Sequence, residues 1–153
     1  MVFSIVGTII GILIVIPSII FFTIYPPKNV NVDIKEPPKV FIILERLGQA
    51  TCLMSLVISK NFFKLSNINI FMVLMIICIL IYYGLWIRYV ICGRDSILML
   101  KPFLFVPIPG AFFPVCAFGF AALWGSYIWL GISTIILAIG HFTVSWNSYI
   151  QCR

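Results

Sequence analysis

Glu45 and His141 are the residues of this chain whose type and position point to chemistry. A carboxylate and an imidazole together can share a proton, hold a cation or anchor a polar headgroup, because imidazole gains and loses a proton near neutral pH. Both lie inside long apolar stretches, where an ionisable side chain is costly unless it faces protein or water. At about 100° per residue, Glu45, Gln49, Cys52 and Ser59 fall within about 80° on one helix face. Thr134, Ala138, His141, Ser145 and Ser148 share a face by the same arithmetic. Two polar stripes are therefore expected, on two different helices.

Their depths match. Glu45 stands about six residues from the start of its apolar stretch and His141 about six from the end of its own, so each lies roughly 9 Å in at 1.5 Å per residue. Arg46 is at the same level, and the proline-broken segment Pro107-Ile108-Pro109-Gly110, with Pro114 beyond it, reaches that depth too. Prolines remove backbone donors and free carbonyls, which is tolerated in a membrane only where protein or water satisfies them. Glu45, Arg46, Gln49, His141 and Ser145 thus form a candidate ligand-binding crevice, with Pro107, Pro109, Gly110 and Pro114 as the helix break beside it. Plainer readings stand next to this one. Arg46 can reach the headgroups while Glu45 pairs with it or with Lys39 to fix a helix start, and His141 can be a neutral imidazole bonding across helices as packing.

Other chemistry is missing from the sequence. There is no H-E-x-x-H, G-x-S-x-G or G-x-x-x-x-G-K-[ST], and no paired glutamates of an intramembrane CAAX-type protease. One histidine with one carboxylate is too poor a donor set for a metal hydrolase, so no catalytic residue, metal or cofactor is expected. Cys52, Cys78, Cys92, Cys116 and Cys152 are odd in number and scattered, without a C-x-x-C pair, which argues against a disulfide framework or a zinc site. Cys92 and Cys152 fall near one membrane surface, a setting suited to palmitoylation.

The elements that must position these residues follow from composition. With 63% hydrophobic and 9% charged residues and a mean hydropathy of +1.19, the chain lies far from a soluble domain, in which about a quarter of residues are charged. A hydrocarbon layer about 30 Å thick needs roughly 20 apolar residues per spanning helix. Five stretches qualify, at about 3–25, 40–59, 68–91, 102–124 and 127–147, which predicts an all-α bundle of five transmembrane helices filling residues 1–153 as one domain. The first lacks a basic n-region and an A-x-A site and exceeds a signal peptide's apolar core, so it reads as a retained helix. Pro26-Pro27 ends it. Gly125-Ser126 and their neighbours leave room only for an antiparallel hairpin between the fourth and fifth.

Orientation follows from the cations. Lys28, Lys35, Lys39, Arg46, Arg88, Arg94, Lys101 and Arg153 fall on one side, and only Lys60 and Lys64 on the other. The positive-inside rule then puts the N-terminus outside and the C-terminus inside. Trp124, Tyr127 and Trp129 are expected to mark the outer boundary, and Tyr25, Trp86, Tyr89, Trp146 and Tyr149 the inner one. The net charge of +6 is a topology signal, since no soluble basic surface for nucleic acid exists. Gly7-x-x-x-Gly11 and the series Ala117, Ala121, Gly125 have the small-residue spacing of close helix packing. Tyr82-Tyr83 and the phenylalanines Phe103, Phe105, Phe112 and Phe113 read as lipid contact or core.

The runs Glu45-Arg46-Leu47-Gly48-Gln49, Tyr82-Tyr83-Gly84-Leu85-Trp86, Pro107-x-Pro109-Gly110-Ala111-x-Phe113-Pro114 and Ile139-Gly140-His141 resemble small, uncharacterised integral membrane proteins of Gram-positive bacteria. The resemblance implies a multi-pass protein of a bacterial plasma membrane and carries no activity. Two functions are open. One is a binding or transport-type protein whose cytoplasm-facing crevice takes a proton, ion, lipid headgroup or small amphiphile. The other is a structural or accessory subunit of a larger membrane complex. The partner expected in either case is the lipid bilayer, with a homodimer or larger membrane complex open and no nucleic acid; an enzyme acting on lipid ranks third.

Overall fold

A computed structural model describes residues 3–28, 35–59, 63, 68–103 and 105–151, with Phe22 and Ser96 described by backbone alone. Asp33, Lys60, Lys64, Cys152 and Arg153, which enter the charge and cysteine arguments, lie outside the described residues. Among the described residues the fold is all-α, with five α-helices: α1 (Ile5–Ile24), α2 (Lys39–Ile58), α3 (Ile70–Ile91), α4 (Pro109–Gly125) and α5 (Ile128–Gln151). Three of them, α2, α3 and α5, are long and apolar enough to cross a membrane; the apolar parts of the other two, Ile5–Phe21 and Pro109–Gly125, are shorter.

Local chemistry sets these boundaries. The Ser4 hydroxyl accepts from the Gly7 amide at 3.0 Å and caps α1, and the Asn69 side chain accepts from the Met72 amide at 3.1 Å and caps α3. Pro17 stands inside α1 and cannot donate to the Leu13 carbonyl four residues back. The Tyr83 hydroxyl of α3 donates to that carbonyl instead, at 2.9 Å. After α3, Gly93 and Arg94 turn the chain with φ of 92° and 64°, and Asp95 caps a short 3₁₀ turn, Ser96–Met99.

The fourth helix corrects the expected boundary. It starts at Pro109, seven residues after the expected Pro102. Prolines at 102, 107 and 109 supply no amide donors, and Phe105 and Ile108 sit at φ of 66° and 47°. Instead of a helix, Phe103 and Val106 exchange two backbone hydrogen bonds, of 3.1 and 2.9 Å. Seventeen helical residues span about 26 Å at 1.5 Å each, so α4 by itself is shorter than a 30 Å hydrocarbon layer. At the other end Ser126, at φ 50°, reverses the chain directly into α5, giving the expected hairpin.

Helices α2 and α5 share the most extensive contact, followed by α3 with α4 and α4 with α5, while α1 packs mainly on α2. The α2–α5 register is antiparallel and regular. Cys52 meets Thr134 (Sγ to Oγ1 3.9 Å), Gly48 lies against the Leu137 backbone, and Glu45 lies against Gly140 and His141. Each step of three or four residues down α2 is thus matched by one up α5, and a Cβ on Gly48 or Gly140 would run into the partner's backbone. Beyond the helix start, the Gln151 side chain accepts from the Lys35 amide (2.6 Å) and donates to the Lys35 carbonyl (2.9 Å), and Asn147 donates to the same carbonyl (2.9 Å). These bonds hold the residues before α2 to the end of α5.

Of the small-residue motifs, Gly7 packs on Leu56 of α2 and on Ser59 just beyond it, Gly11 on Leu53, and Gly125 on Phe63. Ala117 and Ala121 are fully buried. The aromatic belt needs correction in three places. Trp86, Tyr89 and Trp124 are 3%, 1% and 3% exposed, so they belong to the interior and not to a headgroup boundary. Trp86 stacks on Phe21 with ring centroids 5.2 Å apart, the Tyr89 hydroxyl donates to the Tyr25 carbonyl at 3.0 Å, and Trp124 packs on Phe63. Trp129, Trp146 and Tyr25 are exposed.

Candidate functional site

The antiparallel register of α2 and α5 brings Glu45 and His141 face to face. His141 Nδ1 and Glu45 Oε1 are 2.5 Å apart, with the side chains 28% and 23% exposed. When Glu45 is ionised its carboxylate only accepts, and Nδ1 then carries the proton that joins them. The other ring nitrogen, Nε2, makes no hydrogen bond among the described residues. It is an acceptor on neutral imidazole and a donor on imidazolium. Neither Arg46 nor Lys39 pairs with Glu45 among the described residues, so the plainer reading of a carboxylate fixing its own helix start does not describe this geometry.

Beside the pair lies a cavity of about 210 Å³ reached by all five helices. From α2 and α5 it is lined by Gln49, Leu137, His141 and Ser145, and from α4 by Gly110, Ala111, Pro114 and Phe118. From α1 and α3 it is lined by Ile14, Ser18, Tyr82 and Trp86, with Met99 and Leu100 at the 3₁₀ turn. Polar groups therefore enter one mostly apolar space from two separate helix pairs. On the α1–α3 side the Ser18 and Tyr82 hydroxyls are 2.6 Å apart, and either can donate. In α4, Pro114 withholds the amide that would close on the Gly110 carbonyl four residues back, and both residues line the cavity.

The sequence-derived set divides accordingly. Gln49, His141, Ser145, Gly110 and Pro114 border the cavity, and Glu45 stands behind His141 as its hydrogen-bond partner. Arg46 does not border it and is exposed on α2. Pro107 lines a different, apolar groove of about 390 Å³ with Phe112, Phe142 and Trp146, and Pro109 is buried as the first residue of α4. Sequence reasoning missed Ser18, Tyr82 and Trp86. Tyr82 and Trp86 are one helical turn apart, with Tyr89 a turn further, and the three are buried together; this spacing was the signal available for an inward aromatic face. Of the four phenylalanines, Phe113 is core and Phe105 is fully exposed at the tip of the 103–106 turn. Phe103 lies under the Arg88 guanidinium, 5.6 Å from its ring centroid, and Phe112 stacks on Phe142.

Among the described residues no group of three or more His, Cys, Asp or Glu side chains could hold a metal ion. Compared with protein-family models, curated proteins and solved structures, the chain matches none.

Proposed function

We propose that this chain is a five-span protein of a bacterial plasma membrane whose cytoplasm-facing cavity binds a small amphiphile, with the Glu45–His141 pair as its polar anchor. The observation that carries this reading is the 2.5 Å pair standing beside a largely apolar cavity that Gln49 and Ser145 also border. A polar end group then meets His141, Gln49 and Ser145, while Leu137, Phe118 and Ile14 face the apolar body. Size favours a small ligand. Pockets for drug-sized molecules run to about 300–1,000 Å³, above the 210 Å³ here. For the five spans, the support is that α1 and α4 carry no charged residue and are largely apolar, and that the sequence just before α4 is apolar too. The cation asymmetry supports the outside N-terminus.

Photolabelling tests the site. In detergent-solubilised protein, 3-azioctanol, a photoreactive medium-chain alcohol, is expected to mark residues around His141 on α5, and excess 1-octanol should suppress the mark. Adducts confined to outward residues such as Ile135 or Ile139 would overturn the site, and isolation of the chain only within a heteromeric assembly would put the accessory-subunit reading in its place.

A further inference from the structure

We propose that the cavity takes a quinone or quinol ring, held at one end by His141 and at the other by the Ser18–Tyr82 hydroxyl pair. This rests on the cavity-binding reading above and narrows its ligand to a chemical class. Three observations select the class. First, the polar groups come as two stations on different helix pairs, α2–α5 and α1–α3, with apolar and aromatic side chains as the rest of the wall. A ligand with polar groups at both ends engages both stations, whereas one with a single polar end engages only one of them.

Second, both stations are ambivalent. His141 Nε2 accepts or donates according to the charge on the ring, and in the Ser18–Tyr82 pair either hydroxyl can be the donor. A quinone presents two acceptor carbonyls and its quinol two donor hydroxyls, so one set of residues suits both forms. Gly110, whose carbonyl Pro114 leaves without its usual α-helical donor, lines the same wall. Third, charge and shape agree. Glu45 and His141 compensate one another when both are ionised, which favours a neutral ligand, and the aromatic residues Trp86 and Phe118 are part of the wall that a planar ring would meet. The cavity, at about 210 Å³, is below the roughly 300 Å³ at which pockets for drug-sized ligands begin, a scale that suits a ring headgroup and not a whole lipid.

The test is titration of the full-length protein in micelles with 2-methyl-1,4-naphthoquinone, and separately with its quinol, followed by calorimetry and by quenching of tryptophan fluorescence. Saturable binding of both forms is expected, competed by 1-octanol, with the saturable part of the quenching abolished by Trp86→Phe. Tyr82→Phe with Ser18→Ala, and His141→Ala, should each weaken binding about tenfold. Binding that none of these variants alters is partition into the micelle and overturns the proposal. If the naphthoquinone does not bind while 3-azioctanol still marks the cavity, the ring assignment fails and the amphiphile site stands; if neither reaches it, both fail.

Discussion

The Glu45–His141 contact joins two helices through side chains that have few alternatives. Each is about three-quarters covered, and each has only the other as a hydrogen-bond partner among the described residues. Truncating one leaves its partner facing a mostly apolar surround, so single substitutions should cost more than half of what the double substitution costs. Interhelical side-chain hydrogen bonds in membrane proteins average about 0.6 kcal/mol and reach about 1.7 kcal/mol, and a charge-assisted bond belongs toward the upper end. A double-mutant cycle with Glu45→Ala and His141→Ala, read by unfolding in mixed micelles, should give a coupling of about 1 kcal/mol or more. Additive losses would show that the two side chains meet without stabilising the bundle.

At this scale the sequence was informative about polar residues and poor about aromatic ones. The helical period placed Glu45 and Gln49 on one face and His141 and Ser145 on another, and equal distance from the apolar boundaries put the two charges level. Trp86 was not identified as lining because a tryptophan near the end of an apolar stretch fits a headgroup boundary equally well, Tyr82 because lipid contact and core are alike in an apolar stretch, and Ser18 because a lone serine in a spanning helix carries no signal. What turns them inward is the position of α1. Pro17 frees a carbonyl for Tyr83, Ser18 bonds Tyr82, and Phe21 stacks on Trp86, and no periodicity in α3 alone contains those partners.

Among the elements, α2 and α5 depend on two glycines with nothing in common in their local sequence. Gly48 and Gly140 are positions at which the two backbones approach closely, and a methyl group on either would occupy space already filled by the Leu137 or Glu45 main chain. Overpacking a close contact costs about 1–3 kcal/mol. Gly48→Ala and Gly140→Ala should therefore each lower thermal stability measurably, and Gly140→Ala should also disturb the Glu45–His141 distance because its methyl lands on Glu45 itself. Gly84 provides the contrast. It lies within α3 with open space at its Cβ position, so Gly84→Ala should be neutral or stabilise by up to about 1 kcal/mol through helix propensity. Equal melting temperatures for all three variants would contradict the close α2–α5 approach. Neither glycine could be ranked from sequence, since Gly7 and Gly11 match a packing motif more closely; the register of two distant segments decides which glycines matter. The late start of α4 was hidden for a related reason. Residues 102–108 are as apolar as a helix would be, and hydropathy does not register that their prolines and positive φ angles keep them irregular.

For the whole molecule, the packing order fixes relative directions and leaves the absolute one to charge. Antiparallel pairing of α2 with α5, and the tight α4–α5 hairpin, place the start of α2 and the end of α5 at one end of the bundle. The Lys35–Gln151 bonds are at that same end, and so are Arg46 and the cavity's polar station on α2 and α5. If this end is cytoplasmic, the site lies near the inner surface; if not, it lies near the outer one. Single cysteines introduced at positions 30, 62 and 96 of a cysteine-free variant decide the matter with a membrane-impermeant maleimide. Position 62 should react in intact cells, and positions 30 and 96 only after permeabilisation, because the eight-cation side is retained inside. Reaction at 96 without permeabilisation would invert the orientation. Reaction of 30 and 96 from opposite sides would mean that either α2 or α3 does not cross, and the five-span reading would fall with it.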